Sequence, residues 1–290
     1  MKNQELMISH GQYQIQADLY IHEEINTNTP MIIMAHGLGG EKSFGLNKFA
    51  ESYANLGYQV CVFDHSGFGL SSGAVKNLVD KSSQISDWKA VIDYLGSTYL
   101  IPKTNMILWG YSFSGAHVLT LASEQKFKAV IANFPHADGL ASLTLYPKKY
   151  LLPATMLAMQ DIVLARFGKV KTMPVVSSDR FAVLAGEDCY KGYLELIPQS
   201  LTWDNEVPAR IIATVGLYRP TTVVHQITCP VFIAGAEQDS LIPIQATRKL
   251  AKKLKHGVYH EYSCGHFGLF HSPIHEQLLN AHQAFLEKNV

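Results

Sequence analysis

The chain has 290 residues, 47% hydrophobic and 17% charged, and its 24 basic and 24 acidic side chains cancel to a formal net charge of +0. That size and apolar content suit one large α/β domain with a full core, while the balanced charge and the lack of a membrane-length apolar run argue against nucleic acid, an anionic membrane or a membrane span as the main setting. The opening residues Met1 to Glu5 lead into no signal-like apolar core, so the expected location is cytoplasmic, and Cys61, Cys189, Cys229 and Cys264 are too scattered for a Cys-x-x-Cys pair and read as reduced thiols.

Leu6-Met7-Ile8 and the alternating stretch Tyr13–Ile21 flank Gly11 and predict an antiparallel hairpin at a sheet edge. After a polar loop, Met31–Ala35 is continuously apolar, the pattern of a strand covered on both faces. His36-Gly37-Leu38-Gly39-Gly40 follows at once, a loop whose glycines let backbone N–H groups turn toward a ligand. A helical pattern over residues 44–56 ends at Gly57, a strand is expected over 59–64, and a helix with a polar start over 82–95. The apolar run from Met106 to Trp109 predicts a buried strand, and 128–134 another. The strand–helix alternation then stops until Val231–Ala236. Residues 137–228 are too many for a structureless loop and predict an inserted cap on a core formed by 1–136 and 229–290. Within the cap, the largely apolar 153–167 predicts a buried or pocket-facing helix, 181–186 a short strand or helix start, and 205–217 a further helix stopped by Pro220. A helix over 243–254, a strand over 258–262 and a closing helix from Ser272 complete an α/β fold with a mostly parallel eight-stranded sheet and helices on both faces.

The chemistry begins at Gly110-Tyr111-Ser112-Phe113-Ser114-Gly115, between the 106–109 strand and a helix. A strand that turns directly into a helix forces its apex into sparsely populated φ/ψ and needs small flanking residues. Gly110 and Ser114 are small, so Ser112 is the expected apex and nucleophile. Ser114 is the rival nucleophile, but it would misplace the turn. A serine hydroxyl reacts only when a base takes its proton and a carboxylate orients that base. Asp239 and His266 follow in that order, each just beyond a predicted strand, where active sites of open α/β sheets gather. Glu237 is the rival acid, closer to its strand.

Together the elbow, the His-Gly loop, the Asp64-to-Gly73 loop and Gly265-His266-Phe267 resemble the α/β-hydrolase-fold serine hydrolases, over residues 5–136 and 229–288. Ser114 stands where the family pattern usually closes with glycine, and Ser66 where the family's Asp64-type loop has arginine. The run around Ser112 looks most like dienelactone-hydrolase-like and serine-peptidase-like hydrolases, and is similar to acyl transferases acting on polyketide intermediates. The resemblance implies an oxyanion hole made by the backbone N–H groups of Leu38 and Phe113. It also implies hydrolysis of a carboxylic ester or thioester through an acyl-enzyme on Ser112. An acyltransferase using the same three residues, or a non-catalytic ligand-binding homologue, are the alternatives. No cofactor and no metal are expected: the spacings of His260, His266, His271 and His275 match no zinc motif. The expected partner is a small-molecule acyl substrate, not nucleic acid or membrane, and homo-oligomerisation is left open.

Overall fold

In the computed structural model, which describes residues 2–22 and 24–290, the continuous apolar runs become the buried middle of one sheet. The chain starts with the antiparallel hairpin β1 (Lys2–His10) and β2 (Tyr13–Ile21), with Leu6 opposite Ala17. Strand and helix then alternate through β3 (Met31–Ala35), α1 (Leu46–Asn55), β4 (Gln59–Phe63), α2 (Lys81–Thr98), β5 (Met106–Tyr111), α3 (Phe113–Glu124) and β6 (Ala129–Asn133). After β6 come α4 (Gly139–Ser142), α5 (Lys148–Ala165), β7 (Thr172–Pro174), α6 (Cys189–Leu194), β8 (Glu206–Pro208) and α7 (Ile211–Val215). Alternation resumes with β9 (Val231–Ala236), α8 (Ile244–Ala251), β10 (Gly257–Tyr262) and α9 (Ile274–Asn289).

The eight strands are ordered β1-β2-β4-β3-β5-β6-β9-β10. All run parallel except β2, which opposes both its neighbours, so the hairpin lies at the edge as predicted. Every residue of β3, β4, β5, β6 and β9 is buried, because successive side chains enter opposite cores. Ile33 joins Trp88 of α2, Leu119 of α3 and Leu250 of α8 on one face. Ile32 and Met34 join Phe49 of α1 and Phe285 of α9 on the other. All four cysteines are free thiols.

Residues 137–228 add no strand to this sheet; β7 and β8 pair with each other. Their apolar side chains, among them Ala154, Met173, Val175 and Tyr193, form one cluster with Leu38, Phe44 and Phe113 of the sheet region. Three local expectations are corrected here. The predicted helix begins at Lys148, so Pro153 lies inside α5 rather than at its first turn. It is also not buried along its apolar length. Its inward face is built from Ala154, Ala158 and Asp161, while Leu152, Met156, Met159 and Val163 are more than half exposed. Small residues and an ion-paired aspartate suffice to seat the helix, and the large side chains point out. Residues 181–186 form neither strand nor helix; Val183 and Leu184 only donate backbone hydrogen bonds to Pro174 and Val175. The predicted 205–217 helix is instead β8 followed by the short α7. The Asn205 side chain ties its strand to both backbone groups of Val176 at 3.1 and 2.8 Å.

Candidate functional site

β5 ends at Tyr111 and α3 begins at Phe113, so Ser112 alone makes the turn. Its φ of 54° and ψ of −113° place it in a backbone region costly for a residue with a side chain. Two contacts explain the small flanks. A Cβ on Gly110 would meet the Ser114 carbonyl oxygen at 2.3 Å, and one on Gly115 would meet Pro135 at 2.9 Å. The strained residue is fastened to the end of β6: Ser112 N–H donates to Asn133 O at 3.0 Å, and His136 N–H donates to Ser112 O at 2.9 Å. Behind it, α3 is buried from Phe113 through Ala122, so the turn rests on a fixed element.

The loops after β5, β9 and β10 bring Ser112, Asp239 and His266 together. His266 Nε2 lies 2.9 Å from Ser112 Oγ, and His266 Nδ1 lies 2.7 Å from Asp239 Oδ2. The other carboxylate oxygen of Asp239 accepts the backbone N–H groups of Leu241 and Ile242, each at 2.8 Å. That clamp fixes Asp239, and Asp239 in turn fixes the ring tautomer with Nε2 facing the hydroxyl. Tyr111 OH donates to the His266 carbonyl at 3.0 Å, which anchors the loop from below. The His266 and Asp239 side chains are both buried. The rival acid Glu237 is exposed and takes its hydrogen bond from Ser263 Oγ, away from the ring. The rival nucleophile Ser114 is buried, with His65 Nε2 at 3.4 Å; His65 Nδ1 lies 3.1 Å from Asp87 Oδ2. Ser66, at the family's arginine position, donates its N–H and hydroxyl to the same Asp87 at 3.0 and 2.6 Å.

The His36-Gly37-Leu38 loop lies against Ser112: a Cβ on Gly37 would stand 2.9 Å from the Ser112 Cβ. The N–H of Phe113, at the first position of α3, has no acceptor within the helix. Tyr193 of α6 donates its hydroxyl to the Leu38 carbonyl at 2.9 Å, across 155 residues, a tie with no local signal in the residue pattern. His36 and His136 flank the site as neutral rings. Burial pushes His36 down to about 3, with the nearby His65 adding to it, and pushes His136 down to about 4. His117 is a core residue, bridging Tyr218 OH and Gln84 Oε1 at 3.0 and 2.9 Å.

Two cavities meet at Ser112 and Leu38. The larger is walled mainly by apolar side chains, including Leu143, Leu145, Leu151, Val183 and Ile212. The smaller lies between Phe44, Tyr193, Phe267 and Phe270. His266 lines the smaller one only. Among the described residues no group of three or more His, Cys, Asp or Glu side chains could hold a metal ion, and no helix is long and apolar enough to cross a membrane. An array of this geometry can move a proton from a hydroxyl to an imidazole and return it to a departing group.

Residues 26–163 match the family model described as Serine aminopeptidase, S33. The chain is 34% identical over 265 residues to the quorum-quenching protein AidA of Acinetobacter baumannii (strain MDR-ZJ06), covering 90% of this chain and 87% of that protein. A thiohydrolase of Eupenicillium brefeldianum is 27% identical over 134 residues, covering 46% of this chain and 42% of that protein. Among solved structures, the alpha/beta hydrolase GrgF from Penicillium sp. sh18 superimposes with a TM-score of 0.84 at 19% identity, covering 100% of this chain and 99% of that one.

Proposed function

The chain belongs to the α/β-hydrolase family of serine hydrolases, and on that footing we propose that it cleaves a carboxylic ester or thioester through an acyl-enzyme on Ser112. The observation that carries this reading is the unbroken chain Ser112 Oγ–His266 Nε2, His266 Nδ1–Asp239 Oδ2, at 2.9 and 2.7 Å. Ser112 Oγ attacks the acyl carbon while its proton passes to His266 Nε2. Asp239 stabilises the imidazolium so formed. The N–H groups of Leu38 and Phe113 hold the tetrahedral oxyanion, a contribution of roughly 3 kcal/mol per donor. Collapse expels the alkoxide or thiolate, which takes the proton from Nε2. Water then delivers a proton to Nε2 and attacks the acyl carbon, and Ser112 leaves with its proton restored.

The two cavities divide the substrate. The leaving group must stand where the imidazolium can protonate it, hence in the smaller cavity lined by His266. The acyl chain then occupies the larger apolar cleft. In this reading residues 137–228 act as a cap that walls the acyl side, on a core of 1–136 and 229–290. The name of the thiohydrolase relative supports including thioesters among the substrates.

Ser112→Ala should abolish turnover of p-nitrophenyl and thioester substrates and labelling by a fluorophosphonate, while the circular dichroism spectrum is retained. Undiminished turnover in that variant would refute the reading. Product analysis with a competing alcohol separates hydrolysis from acyl transfer, because only a transferase accumulates the new ester in place of the acid.

A further inference from the structure

We propose that the outward face of α5 docks the protein onto an anionic lipid surface. The helix is apolar on both sides, with Ala154 and Ala158 buried inward and Leu152, Met156, Met159 and Val163 outward. The outer four are spaced so as to lie on one stripe, and Phe167 continues it just past the helix end. Their exposures are 71, 56, 53 and 53%, and that of Phe167 is 74%. An exposed apolar stripe of this kind marks a contact surface.

Charge selects the occupant. Lys148 and Lys149 sit at one end of the stripe, and Arg166, Lys169 and Lys171 at the other; all five are exposed and, among the described residues, none forms a salt bridge. From Gly139 to Lys171 the one acidic residue is Asp161, which is buried and held by Arg210 at 2.6 Å. The net charge of the whole chain conceals this segregation. A second copy laid on the stripe would set these cationic ends against each other in either orientation, so self-pairing is disfavoured. An in-plane helix on an anionic bilayer instead buries the stripe among acyl chains, while the lysines reach the headgroups. Leu145 and Leu151, which wall the larger cleft, are exposed just before and at the start of the helix. The cleft would therefore open toward the docked face; this last step rests on the acyl reading above, whereas docking does not.

The test is co-sedimentation with phosphatidylcholine vesicles, with or without phosphatidylglycerol, for the wild type and M156Q/M159Q. The wild type should pellet with the anionic vesicles alone and be released by high salt. The double variant should lose at least about tenfold in partition, with an unchanged melting curve and unchanged turnover of a water-soluble ester. Equal pelleting of variant and wild type, no pelleting of the wild type, or a dimer in sedimentation velocity that the variant dissociates would each overturn the proposal. Loss of ester turnover in the wild type would bear on the reaction and leave the vesicle result standing.

Discussion

Replacing Asp239 with asparagine should remove almost all turnover while the fold survives. Asp239 Oδ1 accepts the Leu241 and Ile242 N–H groups at 2.8 Å each, so the amide oxygen of the variant must take that position. Its NH2 then occupies the Oδ2 place, 2.7 Å from His266 Nδ1. Two donors cannot face each other, so Nδ1 becomes an acceptor and the ring proton moves to Nε2. Nε2 lies 2.9 Å from Ser112 Oγ and, once protonated, cannot take the serine proton. The imidazolium also loses its counter-charge. Together these should lower kcat roughly 10³–10⁴-fold, or about 4–5.5 kcal/mol of transition-state stabilisation. The assay is steady-state hydrolysis of p-nitrophenyl acetate beside a thermal melt, with Glu237→Gln as the control that should stay near wild type. An Asp239→Asn protein that keeps more than roughly a tenth of wild-type kcat/KM would refute the tautomer argument, and a collapse in Glu237→Gln would move the acid's role to that residue.

Gly110→Ala drives a Cβ into backbone atoms of Ser114 and Gly115, and should cost about 3 kcal/mol and most of the activity, read by urea midpoint and ester turnover together. Asp161 is held below the ordinary carboxylate range: burial alone would raise it, but hydrogen bonds from Arg210 and the Lys171 backbone outweigh that. Arg210→Met strands this buried carboxylate and should cost about 3–5 kcal/mol at pH 7, with the deficit shrinking as the medium is acidified toward and below the ordinary carboxylate pKa. The acid limb of stability should be set by buried neutral histidines. Burial depresses His36 and His282 from 6.5 to about 3 and His136 to about 4. Below about 6.5 the unfolded chain binds protons that the folded chain refuses, so stability falls with pH, by about 1.4 kcal/mol per unit for each ring. Urea midpoints between about pH 6 and 4.5, inside the window from the unfolded to the folded pKa, measure the slope, and His282→Gln should lower it by one ring's share. An unchanged slope would assign the limb elsewhere.

The central sheet was legible because each strand is a short apolar run bounded by turn residues, as at Met31–Ala35 and Val231–Ala236. The proposed reactive residues were legible because strand ends mark where loops converge, and Ser112, Asp239 and His266 each follow one. The internal structure of residues 137–228 was not, for two physical reasons. In α5 the seating face is alanine and one aspartate, so apolar content pointed to burial while the large side chains face outward. Around Asn205 a side-chain amide, rather than a residue pattern, holds the strand. Long-range ties such as Tyr193 to Leu38 leave no local trace at all.

Two residues apart, one at the turn and one in the first turn of α3, Ser112 and Ser114 each head a file of serine, histidine and aspartate. One file ends at a cavity, with its hydroxyl 2.9 Å from the ring. The other is sealed in the interior, with a looser 3.4 Å spacing, and its carboxylate is already engaged by Ser66. In the proposed reading the same three residue types thus serve as a tool in one place and as a truss in the other. What separates the two is whether a carbonyl carbon can reach the oxygen, so proximity of the three residue types alone is no signature of reactivity.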